Sequence, residues 1–470
     1  MTVSPETART DTVPTDTTRT DTIERLPLYR DIPGLAMTRG RWLHGWDPEN
    51  EQQWRGGGRG IARTNLIVSI FAEFLGFAVW ALWSIVVPQL NAAGFALSVD
   101  QMFWLVSLPA LVGAALRIPY TFAVPKFGGR NWTIVSALLL LIPVGGLAWA
   151  VQNPQLPFGV LLAIAALAGF GGGNFASSMA NISFFYPEAE KGKALGLNAA
   201  GGNVGTAAVQ FFVPLVIVAG AGLALERAGL VFVPLAIVAA ILAWRLMHNL
   251  TDAKTDPRTF AAAARERHTW IVSFIYIGTF GSFIGYSAAF PTVLADQFPQ
   301  VGLSIAFLGA LVGSVTRPAG GMLADRYGGA LVTVVSFIAM MLGAGGAIVG
   351  LQQGSFAMFF GSFLWLFVFT GVGNGSIYRM IPAIFSAQAS DESLAAKLAA
   401  KRLAAGCIGI AGAVGAFGGF LIPRGFALSK QLSGGLVPAL AVFIAAYAVM
   451  AVLTWAVYRR RGSALGAAVI

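Results

Sequence analysis

From Asn65 onward the chain alternates long apolar stretches with short polar or Gly/Pro-rich breaks. A helix needs about 20 mainly apolar residues to cross a bilayer, and stretches of that length recur about twelve times. They fall near 65–90, 101–124, 131–151, 156–186, 193–220, 228–248, 269–294, 303–324, 329–352, 355–386, 402–427 and 433–458. Strands of a β-barrel would be shorter and would alternate polar with apolar positions. The pattern therefore predicts an all-α membrane protein with twelve transmembrane helices.

Composition narrows this further. Of 470 residues, 56% are hydrophobic and 11% charged, and the mean hydropathy is +0.71, more apolar surface than a water-soluble fold can hide. The 57 glycines suit helices that associate in lipid through small residues, as in Gly409-Ile-Ala-Gly412 and Gly412-Ala-Val-Gly415. A net charge of +10 raises the question of a nucleic-acid partner, but the basic residues flank spans and form no single patch. Arg59, Arg63, Lys126, Arg130, Lys191, Lys193, Arg258, Arg265, Arg267, Arg326, Lys397, Lys401, Arg402 and Arg459 to Arg461 sit in alternate loops, which orients both termini to the cytoplasm; Arg424 and Lys430 are exceptions on the other side. The lone Cys407 has no disulfide partner, and His44, His248 and His268 are scattered among polar edges, so no metal site or catalytic set is expected. A Thr/Asp-rich start (Thr10-Asp-Thr, Thr20-Asp-Thr-Ile) without a signal-peptide core reads as a disordered tail.

The chain also contains itself twice. Sliding it by about 200 positions superimposes Ile67-Val-Ser69 on Ile271-Val-Ser273, and Arg117 precedes Gly128-Gly129 by the interval at which Arg317 precedes Gly328-Gly329. Gly169-Phe-Gly171 matches Gly371-Val-Gly373 with a slightly different displacement. The expected organisation is a cytoplasmic segment at 1–58, a six-helix bundle at 59–248, a cytoplasmic link at 249–268, a second six-helix bundle at 269–458 and a tail at 459–470. Gly320 to Gly329, containing Asp325 and Arg326, resembles the loop motif of the major facilitator superfamily, and its first-half counterpart lacks the Asp.

Few charges fall inside the spans, where each costs about 2.5 to 3.5 kcal/mol on insertion scales. Arg117 lies deep in the second span and Arg317 deep in the eighth, and neither span holds a deep carboxylate to neutralise it. Related by the repeat, they are expected to meet near midplane, where two-bundle transporters hold their cargo. A planar, permanently charged guanidinium suits a small oxyanion; carboxylate, nitrate and bicarbonate all satisfy the chemistry. Glu73, in the first span, is either a proton-coupling group or a structural hydrogen-bond partner. Arg379, in the tenth, is expected at a gate or in a structural role near the cytoplasmic end.

Longer motifs carry a resemblance. Gly169-Phe-Gly-Gly-Gly-Asn-Phe-Ala-Ser-Ser-Met-Ala-Asn-Ile-Ser-Phe-Phe-Tyr-Pro187, continuing into Ala194-Leu-Gly-Leu-Asn198 and Gly201-Gly-Asn-Val-Gly205, resembles the nitrate motif of the nitrate/nitrite porters of the major facilitator superfamily. Gly371 to Pro382 resembles its second copy, Leu116 to Phe122 the family's substrate-arginine segment, and Trp46-Asp-Pro-Glu49 a familial tail segment. The resemblance implies that Arg117 and Arg317 clamp the anion, with a hydrogen bond from Asn203 and the hydroxyl of Tyr276. It also implies Phe77, Phe175 and Phe280 as walls or gates, Gly172 at the substrate, and Gly169, Gly171, Gly371 and Gly373 as sliding contacts. Helix packing explains the same glycines and rings without any ligand. Implied partners are nitrate, nitrite, the lipid bilayer and, under the symport alternative, protons; no cofactor is called for and a monomer is expected. Exchange and proton symport both remain open, as does a facilitator for another small anion such as a carboxylate.

Overall fold

The computed structural model describes residues 32, 34–220, 222–253, 257–389, 393–460, 465 and 470. Twelve helices among them are long and apolar enough to span a membrane. They are α1 Glu51–Ala93, α2 Val99–Thr121, α3 Gly129–Ala150, α4 Phe158–Phe185, α5 Glu188–Ile217, α6 Glu226–Leu246, α7 Arg267–Gln297, α8 Leu303–Tyr327, α9 Gly329–Gln352, α10 Phe356–Ala387, α11 Ala395–Ser433 and α12 Val437–Tyr458. The largest departures from the sequence pattern are at α1 and α11, whose helices extend well beyond their apolar runs because polar, charged turns continue them past the membrane depth. Side chains such as Phe212, Leu342 and Val442 are left 59 to 68% exposed on the outside, the surface expected where lipid is the solvent.

Within the first half α1 packs on α4 and α5 and α2 on α4; in the second half α8 and α9 both pack on α10. Close approach is made possible by absent side chains: a Cβ on Gly171 of α4 would stand 2.1 Å from the carbonyl oxygen of Gly76 in α1, and one on Gly371 of α10 would stand 2.3 Å from that of Gly313 in α8. The same test finds backbone or side chain within 2.6 Å at Gly169 and Gly373. All four motif glycines are thus occupied in helix packing.

One expectation is corrected. Thr10 and Thr20 lie outside the described residues, but from Ala36 the segment assigned to a disordered tail is folded: β1 Ala36–Thr38 and β2 Trp42–His44 form a hairpin, and β2 pairs in parallel with β3 Asn249–Leu250 of the central link. Polar composition hid this because the strap is held through backbone carbonyls. Arg41, at φ 59°, donates to the carbonyls of Met247 (2.9 Å) and Leu246 (3.3 Å), and Arg130 donates twice to that of Trp244. Together they satisfy the carbonyls that the end of α6 leaves open. Trp46 donates to the carbonyl of Phe184, and Glu49 accepts from the Glu188 N–H that opens α5. His248, read from sequence as a residue of a polar edge, is buried here between Asn65 and Arg41. The rest of the link carries a short helix, Pro257–Arg265, packed against α11.

Both the strap and the last turn of α12 lie at one end of the molecule, hereafter the terminal end. At the opposite, far end the bundles are tied together. Arg424 of α11 pairs with Asp100 of α2 at 2.7 Å, Gln210 of α5 donates to the Ser287 carbonyl of α7 at 2.7 Å, and Phe103 and Phe211 meet Phe426 and Phe307 across the seam. At the terminal end Lys401 of α11 stands 4.0 Å from Glu188 of α5, both more than half exposed. The far end is therefore the closed one. The two basic exceptions are neutralised there, Arg424 by Asp100 and Lys430 by Asp296.

Candidate anion-binding site

The second helix starts at a capping box in which Ser98 and Gln101 each bond the other's backbone N–H, and it carries Arg117 inward to the seam between bundles. There the guanidinium is 2% exposed. Its Nε donates to the Gly172 carbonyl of α4 at 3.3 Å, and its Nη1 donates across the seam to the Gly412 carbonyl of α11 at 2.8 Å. Its carbon lies 4.5 Å from the ring centre of Phe175, 5.0 Å from that of Phe280 and 5.6 Å from that of Trp80, so aromatic faces replace part of its lost hydration. Trp80 is fixed in turn by donating to the Pro109 carbonyl.

Arg317 is 7% exposed and lies over the Tyr378 ring at 4.8 Å. Gly412 connects the two: a methyl placed on it would sit 3.9 Å from Arg117 Nη1 and 4.0 Å from the Tyr378 hydroxyl. The arginines act on each other through space, and Glu73 acts on both. Among the described residues neither arginine has a carboxylate within ion-pair distance.

The predicted aromatic residues form one continuous row. Phe77 meets Phe175 edge-on at 5.9 Å, Phe175 stacks on Phe280 at 6.4 Å, and Phe280 stacks on Tyr276 at 5.1 Å. A π-type turn at Ile277–Gly281 widens α7 where it presents Phe280, the kind of local irregularity that helices tolerate beside a protein-lined cavity. The Tyr276 hydroxyl is already committed, donating to Asn374 Oδ1 at 2.7 Å. Asn203 is 1% exposed and neither of its side-chain polar atoms has a partner. Each arginine likewise holds back one buried nitrogen, Nη2 of Arg117 and Nη1 of Arg317. A buried donor without an acceptor costs about 1–3 kcal/mol, more when charged, so these donors favour an acceptor supplied from outside the protein.

Arg379 and Asp325 do not belong to this chamber. They pair with each other between α10 and α8, both more than half exposed, toward the terminal end. Residues that sequence did not assign to the site are Trp80, Asn374, Tyr378 and Gly412, the last read only as a packing glycine. Asn374 and Tyr378 stand inside the second motif copy and were open to discovery as partners for Tyr276 and Arg317. Gly412 contributes a carbonyl, which no residue identity announces.

Two repeated six-helix bundles joined by a link, with a pair of buried guanidinium groups and their spare donors between them, define a membrane transporter for a small anion. A family description, the Major Facilitator Superfamily, matches residues 69–423. The nitrate/nitrite transporter NarU of Salmonella typhimurium is 42% identical over 447 residues, covering 89% of this chain and 96% of that protein. A probable nitrate/nitrite antiporter, NarK2 of Thermus thermophilus, is 36% identical over 458 residues, covering 91% and 99% respectively. Among solved structures, a D-xylose–proton symporter superimposes with a TM-score of 0.64 at 17% identity, over 84% of this chain and 97% of its own, a likeness of fold. The chain belongs to the major facilitator superfamily and, within it, to the family of the nitrate/nitrite transporters.

Proposed function

We propose that this protein carries nitrate and nitrite across the bacterial inner membrane by alternating access, with Arg117 and Arg317 gripping the anion from opposite bundles. The observation that supports the reading is the pair of buried guanidinium nitrogens without acceptors, one from each bundle; the buried Asn203 of α5 likewise holds both its polar atoms unpartnered. A planar trigonal oxyanion accepts from both forks at once. The Phe77, Phe175 and Phe280 row flanks it, extended by the Tyr276 ring, whose hydroxyl is held by Asn374. Gly172 supplies a carbonyl that orients Arg117.

Arginine cannot discharge its proton, so closing the empty chamber buries uncompensated charge, whereas closing on an anion does not. Exchange follows from that asymmetry. Nitrate entering a negative interior works against about 2.3 kcal/mol per 100 mV, and a nitrite leaving cancels the charge moved. The basic loops at the terminal end orient it, with both termini, to the cytoplasm. One chain supplies both halves of the site, so a monomer suffices.

The test is uptake of labelled nitrate into proteoliposomes preloaded with nitrite or left empty. Internal nitrite accelerating uptake, and competition by nitrite but not by acetate, is the expected result. Uptake blind to internal nitrite and blocked by a carboxylate overturns the assignment.

A further inference from the structure

The chamber contains one ionisable group that the grip on an anion does not use. Glu73 sits in the middle of α1, is fully buried, and is the only buried carboxylate among the described residues. Its Oε2 accepts from Asn198 Nδ2 of α5 at 2.7 Å, and that amide nitrogen also reaches Ser178 Oγ of α4 at 2.7 Å. Its Oε1 has no partner, and neither does the Oδ1 of the same Asn198. Two buried acceptors in contacting side chains therefore share a deficit of donors.

A proton on the Glu73 carboxyl supplies the donor. It converts a carboxylate holding one amide bond into a neutral acid able both to accept from the amide N–H and to donate, which is the hydrogen-bond complement that an amide and a carboxylic acid satisfy mutually. The charged groups that act on Glu73 are Arg117 of α2 and Arg317 of α8. From α4 and α5 the facing groups are neutral, Ser178, Asn198 and the backbone of Gly202, where a Cβ would stand 2.6 Å from Oε1. Tyr276 of α7 is engaged with Asn374, and the other buried cation near α1, Arg130, spends its donors on Trp244, Gly40 and Asn131 at the terminal end.

We propose that Glu73 is a proton-binding site coupled to anion binding, loading one proton with the anion and releasing it on the other side. The proposal rests on the anion reading above. The two arginines favour the ionised carboxylate; an anion seated on them cancels that attraction and adds repulsion, so it draws a proton onto Glu73. By linkage the proton strengthens anion binding to the same degree. The proton comes from solvent, binds a carboxylate oxygen and returns to solvent, so no other reactant is needed. Once the proton has left, the ionised Glu73 offsets part of the arginines' charge as the empty chamber returns, so nitrate uptake without internal nitrite becomes possible when the outside is acidic, beside the faster exchange.

The experiment uses proteoliposomes holding a trapped pH dye, with the potential clamped by potassium and valinomycin. Wild type is expected to take up nitrate down an inward proton gradient without internal nitrite and to acidify the lumen as it does so. Glu73→Gln is expected to lose both signals to the level of protein-free vesicles while retaining nitrate/nitrite exchange. Infrared difference spectra of unmodified protein, nitrate minus nitrate-free, are expected to show a new carboxylic-acid band, a readout independent of how the variant folds. Acidification that survives in Glu73→Gln, or wild-type uptake with neither acidification nor the carboxyl band, overturns the proposal. Loss of nitrate/nitrite exchange in wild type would instead count against the anion reading.

Discussion

Replacing Arg117 by lysine separates charge from shape. Lysine keeps the positive charge, and with it the Coulombic attraction for an anion, but concentrates its donors on one atom. The native guanidinium spans the Gly172 carbonyl at 3.3 Å and the Gly412 carbonyl at 2.8 Å, and still leaves Nη2 for a ligand. A lysine cannot reach two carbonyls on opposite bundles and hold a donor aligned for a third acceptor. At least one charge-assisted hydrogen bond is lost, about 1.5–3 kcal/mol, together with part of the contact to the Phe175 and Phe280 faces, about 0.5–1 kcal/mol.

The sum, about 2–4 kcal/mol, corresponds to a loss of about 30- to 1,000-fold in nitrate affinity. Nitrate-dependent protection against thermal unfolding and the half-saturation of nitrate/nitrite exchange in proteoliposomes both measure it. Arg117→Gln, which removes the charge too, is expected to abolish both signals. If Arg117→Lys binds nitrate within about threefold of wild type, the fork contributes nothing and the grip is a matter of charge alone.

Gln210→Leu removes the donor that reaches from α5 to the Ser287 carbonyl of α7. It should cost the closed far end about 1 kcal/mol, seen as a shift toward longer distances between spin labels on the far-end loops of α2 and α11; an unchanged distance distribution excludes Gln210 as a latch. Burial, and then Arg41 and Arg130, hold the His248 imidazole down to a pKa of about 3 from 6.5. The strap's share of stability is thus complete above pH 6.5 and declines by about 1.4 kcal/mol per unit as pH falls toward 3. Hydrogen exchange in Ala36–His44 should accelerate between pH 7 and pH 5 beyond the intrinsic change, and equal protection at both would refute it.

What was legible in the sequence was whatever a side chain declares. Twelve spans announced themselves by apolar length, and Arg117, Arg317 and Glu73 by the cost of a charge at bilayer depth. What stayed hidden is held by backbone. The strap folds because Arg41 and Arg130 find carbonyls at the end of α6, and a segment rich in polar residues looks the same whether or not such acceptors await it. Gly412 reads as one packing glycine among many, yet its carbonyl is what Arg117 holds. Asn374 and Tyr378 were hidden differently: motif membership marked them, but the pairing with Tyr276 and Arg317 depends on how α7, α8 and α10 face each other.

The repeat also conceals an inequality. By sequence Arg117 and Arg317 are equivalents, but here Arg117 reaches across the seam to Gly412 while Arg317 rests on Tyr378 of its own bundle. The repeat is approximate in sequence, and the groups that meet each arginine differ between the halves, a backbone carbonyl at Arg117 and a tyrosine ring at Arg317. An anion on the spare Nη2 of Arg117 shares its guanidinium with a carbonyl of the other bundle, while one on the spare Nη1 of Arg317 shares its guanidinium with a ring face of the same bundle. The first contact bears on the joint between bundles and the second does not. Arg117 is thus the arginine through which occupancy of the chamber bears directly on how firmly the halves are held together, and substitutions there should change the distribution between states as well as affinity, whereas those at Arg317 should act mainly on affinity.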